Sequence, residues 1–218
     1  VPAELPEDIN AFKSQQFRWA KGSIQTARKI IPLLFKKKMR LFTRIQAILH
    51  LTYYMVHPFI LLLAFLTMPL LYYFNPSIPL PGFVAIVAFL VIASTGPSFM
   101  YMVSQFYLGK KVLSQLFMIP ILMIIGTGLA VNNTKAVLEA LFRFDSPFHR
   151  TPKKGEKRGK GAYRPKKDIT AAIEVAIGLY CLACFTMFSG LKGILINPFL
   201  MIQISGFLFV GILSIIHY

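Results

Sequence analysis

The chain has 218 residues, 56% of them hydrophobic, and 24 Lys and Arg against 8 Asp and Glu give it a net charge of +16. Apolar runs longer than the roughly 18 residues that cross a hydrocarbon core exclude the one or two soluble domains that the length alone would allow. The aromatics sit in those runs rather than among the basic residues, which argues against nucleic acid as a partner.

The charge is blocked. Residues 1–45 hold ten Lys and Arg and residues 132–170 hold eleven, leaving Lys110, Lys111 and Lys192 elsewhere. Two basic blocks beside membrane spans fit anionic lipid headgroups, or anionic substrates such as nucleotide sugars. We therefore expect an all-α polytopic membrane protein with interfacial amphipathic helices, about four transmembrane helices and one re-entrant or interfacial segment. No signal peptide opens the chain. It starts at Val1 without a methionine and stops at Tyr218 on an apolar run, as the C-terminal portion of a longer protein would.

Residues 1–45 are read as cytoplasmic interfacial helices. Pro2, Glu4, Pro6, Glu7 and Asp8 make a polar entry with acids near a helix start. A helix over 10–31 follows, interrupted by Pro32, and an amphipathic piece over 33–45 alternates Lys36, Lys37, Lys38, Arg40 and Arg44 with Leu34, Phe35, Met39, Leu41 and Phe42. Within the first helix Gln15, Arg18, Trp19 and Gly22 fall at i, i+3, i+4 and i+7, on one face. A guanidinium fork suits diphosphate oxygens, an indole face suits a sugar ring, and a glycine admits close approach to the backbone. The same residues also fit an ordinary interfacial helix with a Trp anchor and a snorkelling Arg.

Residues 46–111 are expected to form a transmembrane hairpin. Its spans cover 46–74, kinked at Pro58, and 80–108, broken at Gly96-Pro97, joined by an uncharged turn at 75–79. His50 and His57 share a face of the first span as packing or interfacial residues. Lys110 and Lys111 end the hairpin on the cytoplasmic side. Residues 112–131 are long enough to cross, but a crossing would strand the next basic block outside. With Pro120, Gly126 and Gly128 they predict a broken, re-entrant or interfacial segment, continued by an amphipathic helix over 132–144 with Glu139 and Arg143 paired at i, i+4. The sequon Asn132-Asn133-Thr134 is then a coincidence.

Residues 145–167 are a cytoplasmic loop and a Gly- and Lys-rich linker. Residues 168–218 make a second hairpin, with spans over 168–191 and 194–217. Glu174, near the start of the first at interface depth, is a buried charge of the kind that flags function, but one turn from the boundary it can snorkel, and it stays outside the site. Cys181 and Cys184 form a Cys-x-x-Cys in an apolar helix without the strand of a redox motif, so both are expected to pack. The four histidines offer no close pair with a third ligand, and no metal is assigned to this segment.

Gln15-Gln16-Phe17-Arg18-Trp19, within Pro2-Ala3-Glu4-Leu5-Pro6 … Ala11-Phe12-Lys13-Ser14 … Ala20-Lys21-Gly22, resembles the acceptor-site motif of membrane-embedded family 2 glycosyltransferases, the cellulose, mannan and hyaluronan synthases and their bacterial relatives. The resemblance implies that Trp19 stacks on the acceptor sugar, that Arg18 contacts the nucleotide diphosphate and that Gln15 lines the same pocket. Phe148-His149-Arg150-Thr151-Pro152-Lys153 is similar to the gating loop of the cellulose synthases, with Phe148, Thr151 and Lys153 in the gating positions. The family form has Val before the Thr, where Arg150 stands here. The resemblance further implies a UDP- or GDP-sugar donor, a glycan or lipid acceptor, contact with membrane lipids, and a bacterial inner membrane ahead of the Golgi.

Such an enzyme needs a nucleotide-binding domain with an Asp-x-Asp site for Mg or Mn and a carboxylate base. No Asp-x-Asp occurs in the sequence, so we expect those parts upstream of Val1 and no activity from this segment alone. Aromatics along the spans, among them Tyr53, Tyr54, Phe59, Tyr101, Phe106 and Tyr107, favour a polysaccharide synthase. The alternatives are a non-processive glycolipid transferase of ceramide type and a non-enzymatic transporter or lipid-binding subunit.

Overall fold

The computed structural model describes residues 6, 8–74, 79–109, 116–144, 169–187 and 190–217. The described elements are helical: α1 (Ile9–Lys36), α2 (Leu41–Thr52), a 3₁₀ turn (Tyr53–Met55), α3 (Val56–Phe74), α4 (Leu80–Tyr107), α5 (Met118–Gly128), α6 (Ala130–Phe142), α7 (Ile169–Met187) and α8 (Gly190–Ile216). Three stretches among them are long and apolar enough to cross a membrane, Leu41–Pro69, Ile169–Met187 and Asn197–Ile216. A fourth exists if α5 and α6 count as one broken span. The chain is an all-α polytopic membrane protein. Large apolar side chains on the outside of the spans, such as Phe59, Leu63, Phe65, Leu179 and Ile212, would be unstable in water and suit a lipid boundary.

Two compact units divide the chain. Val1–Leu62, Leu129–Glu174 and Val210–Tyr218 form the first; Leu63–Gly128 and Val175–Phe209 form the second. In the first, α1 starts where Asp8 caps it, its carboxylate accepting from the Ala11 amide at 2.7 Å. Ala20 and Ile24 of α1 pack against Ala136, Val137 and Ala140 of α6 and Tyr54 of the 3₁₀ turn. Alanines on both helices permit the close approach that membrane helices use.

Lys13 is the polar centre of this unit. It is 5% exposed, and its ammonium lies 2.8 and 2.9 Å from the two carboxylate oxygens of Glu174, which is wholly buried. The same ammonium donates to Thr170 Oγ1 at 3.3 Å and Ser214 Oγ at 3.2 Å. One lysine of α1 thereby ties down the start of α7 and the end of α8. Asn10 Nδ2 also donates a hydrogen bond to the Ser214 carbonyl at 3.1 Å. Glu174 therefore does not snorkel. A lysine from another helix reaches it, and the carboxylate stays inside.

In the second unit, glycine brings helices into contact. A Cβ on Gly206 of α8 would stand 2.6 Å from the Ile124 carbonyl of α5, and one on Gly178 of α7 would stand 2.7 Å from the Leu208 side chain. Pro69 removes the amide that would bond the Phe65 carbonyl; the Tyr180 hydroxyl of α7 donates to that carbonyl instead, at 2.9 Å. Cys181 and Cys184 are buried free thiols, Cys181 donating to Gln203 Oε1 at 3.6 Å.

Several boundaries differ from the sequence reading. α1 does not stop at Pro32 but runs on to Lys36. Proline deletes one helical hydrogen bond, and the packed turns before it carry the last one. The piece expected over 33–45 is thus split, with its break at residues 37–40. There Arg44 bridges the gap, donating to the Lys37 carbonyl at 3.2 Å and lying over the Phe35 ring. The first span passes through the 3₁₀ turn at Tyr53–Met55, and Pro58 sits in the first turn of α3 where proline fits. α4 runs unbroken through Gly96-Pro97. α5 and α6 meet at Leu129 with a bend of 51°, the broken segment that Gly126 and Gly128 led us to expect.

Replacing one member of a buried ion pair strands the other charge, at about 3–5 kcal/mol, whereas replacing both with apolar residues is close to neutral. Lys13→Met and Glu174→Leu should each lower the unfolding midpoint in detergent sharply, and the double variant should recover most of the loss. Additive losses in the double variant would show that the two side chains act separately.

Candidate functional site

α1 has two faces with different tasks. Lys13, Ala20, Ile24 and Ala27, at i, i+7, i+11 and i+14, are buried, and Asn10 and Lys21 flank them. Lys21 is a second anchor: its ammonium donates to Glu139 Oε2 at 2.9 Å and to the Phe144 carbonyl at 2.7 Å. Lys13 and Lys21 lie about two turns apart on the packed side, so they fix the helix both along and about its axis.

The opposite side carries Gln15, Arg18, Trp19 and Gly22. Trp19 is 55% exposed, and Gln15 and Arg18 are half-buried. Arg18 Nη1 lies 3.5 Å from Ser14 Oγ, one turn back, which steers the guanidinium along the helix. No neighbouring atom of the described residues stands within 4 Å of where a Gly22 Cβ would be, so the surface beside Trp19 is open to them at that point. The result is a flat indole, a planar cation and an amide above bare backbone. That set can stack on a sugar ring and bind an anion with a forked donor.

Behind this face a chain of amides reaches toward the spans. Asn132 of α6 donates to the Lys13 carbonyl at 2.9 Å and to Asn133 Oδ1 at 3.0 Å, and the Asn133 amide meets His57 Nε2 of α3 at 2.9 Å. Asn132 and Asn133 are both buried, so the sequon is enclosed by protein. His57 is a packed residue, its ring stacked on Tyr54 at 5.9 Å between centroids.

The expected Glu139–Arg143 pair is replaced. Glu139 turns to Lys21, and Arg143 takes a left-handed backbone conformation (φ 62°) that ends α6. The Phe144 amide then bonds the Glu139 carbonyl at 2.9 Å, a Schellman-type cap that carries Arg143 out of the helical register. Sequence reasoning missed Lys13, Lys21, Ser14 and the asparagine pair. For Lys13 a signal was present: Glu174 inside an apolar helix calls for a partner cation. Phe148, Thr151 and Lys153 lie outside the described residues.

Gly22 should be an open position rather than a packing necessity. Gly22→Ala in an interior turn of α1 should raise stability by up to about 1 kcal/mol, because alanine favours helix and meets no neighbour. A lowered unfolding midpoint would show that this backbone is covered.

No family model, no curated protein and no solved structure matches the chain.

Proposed function

We propose that this chain is the C-terminal membrane part of a family 2 glycosyltransferase. In it, sugar passes from a UDP- or GDP-sugar to a growing polysaccharide of β-glucan or mannan type, and the spans help to translocate the product. One observation carries the proposal: the motif residues Gln15, Arg18 and Trp19 share the open face of a helix whose other face is held by two buried lysines. An interfacial anchor needs no such fixed rotation. A sugar platform does, because stacking depends on the plane of the ring.

In this role Trp19 holds the acceptor ring, Gln15 bonds one of its hydroxyls, and the Arg18 fork meets charge that grows on the departing diphosphate. The Lys13 bonds to α7 and α8 tie the side of the helix opposite this face to the start of one span and the end of another. Phe148, Thr151 and Lys153 would form the gate over the nucleotide. The described residues hold no group of three His, Cys, Asp or Glu side chains that could bind a metal. Mg or Mn, and the general base, belong to a nucleotide-binding domain outside these residues. Residues 1–45 and 145–167 face the cytoplasm, where nucleotide sugars are made, and the membrane is the bacterial inner membrane.

Transfer measured in the complete enzyme distinguishes a platform from an anchor. Trp19→Leu should cut transfer by about tenfold or more, while Trp19→Phe keeps part of it because a smaller aromatic face still stacks. Stability should change by no more than about 1 kcal/mol in either, since the indole is exposed. Full activity of Trp19→Leu would overturn the assignment.

A further inference from the structure

We propose that a second site, separate from the Trp19 face, binds a phosphate group between α1 and α6, and that a membrane lipid headgroup supplies it. A cavity of about 370 Å³ opens there, lined by Gln25, Arg28 and Lys29 of α1 and by Ala140 and Arg143 at the end of α6. Three cations and an amide donor line it, and among the described residues no carboxylate does. Glu139, beside Ala140 in α6, is engaged by Lys21.

The end of a helix presents carbonyls and a partial negative charge, which would weaken an anion site. Here that charge is answered. Arg28 Nη1 donates to the Ala140 carbonyl at 2.6 Å, and the amides of Arg143 and Phe144 close on the Glu139 carbonyl. Lys29 and Arg143 are left as the groups that face an incoming anion. Arg143 holds its left-handed conformation without glycine's freedom, a cost accepted at the cavity mouth. Two cations from separate helices can share the oxygens of a tetrahedral phosphate, and the space between them has room for one.

The surroundings favour a lipid as the carrier. Arg143 stands between Phe142 and Phe144, and Lys29 is followed by Ile30 and, one turn on, Leu33; all four apolar side chains are exposed. A charged pocket edged by exposed aromatic and aliphatic groups matches a phosphodiester with acyl chains attached. The site uses none of Gln15, Arg18 or Trp19, so it stands whether or not the transferase proposal does.

Native mass spectrometry of the detergent-purified protein, with palmitoyl-oleoyl phosphatidylglycerol or phosphatidylcholine added, counts retained lipids directly. The wild type should keep phosphatidylglycerol about tenfold better than phosphatidylcholine. Arg143→Gly, which relieves the backbone as it removes the charge, and Lys29→Gln should each reduce that preference, and together abolish it. Lys38→Gln, outside the cavity, should leave it intact. Persistence of bound phosphatidylglycerol against excess inorganic pyrophosphate assigns the phosphate to a lipid; displacement assigns it to a soluble phosphate. No preference in the wild type, or one unchanged in the double variant, would overturn the site.

Discussion

A lysine buried against a glutamate holds this protein's motif helix in place. Charges of opposite sign in a low-dielectric setting are stable only together, and here they come from helices 161 positions apart in sequence. Lys13 also takes up the hydroxyls of Thr170 and Ser214, so its removal would strand one charge and loosen three helices at once. Lys21 repeats the arrangement two turns later with Glu139 and the Phe144 carbonyl. Small residues on the packed side, Ala20 and Ala27 on α1 and Ala136 and Ala140 on α6, let the backbones close up.

The open face follows from that closure. A helix fixed in rotation on one side must present a fixed set on the other, and the set presented is Gln15, Arg18, Trp19 and Gly22. None of these residues makes the core. Their freedom from packing duty is what allows an indole to stay half exposed and a glycine to stay uncovered. Farther along the same helix, Arg28 and Lys29 turn toward α6 and the cavity by Arg143. One helix therefore serves two surfaces of different chemistry, an aromatic platform and a cationic pocket.

Much of this was legible in the residues. Of the expected spans, those over 46–74, 168–191 and 194–217 overlap stretches long and apolar enough to cross, the i, i+3, i+4 spacing put the motif on one face, and Gly126 and Gly128 lie beside the break at Leu129. What stayed hidden depends on partners distant in sequence. Glu174 looked like a residue that would reach for the interface, because nothing local showed that Lys13 would come to it. Glu139 and Arg143 had the spacing of a helical pair, but the helix ends between them and Lys21 takes the acid. Pro32 and Gly96-Pro97 carry a local cost that the helices on either side outweigh, so α1 and α4 run on. Local rules read local structure well, and they fail where a tertiary contact outbids them.

The division of α1 into a held face and an open face can be measured one residue at a time. With Cys181→Ala and Cys184→Ala removing the native thiols, single cysteines along α1 report water access through their rate of alkylation. Cysteines at Gln15, Trp19 and Gly22 should react fast, and those at Ala20, Ile24 and Ala27 slowly, so that protection rises and falls with the helical repeat. Uniform reactivity along the helix, or protection centred on Trp19, would contradict the arrangement.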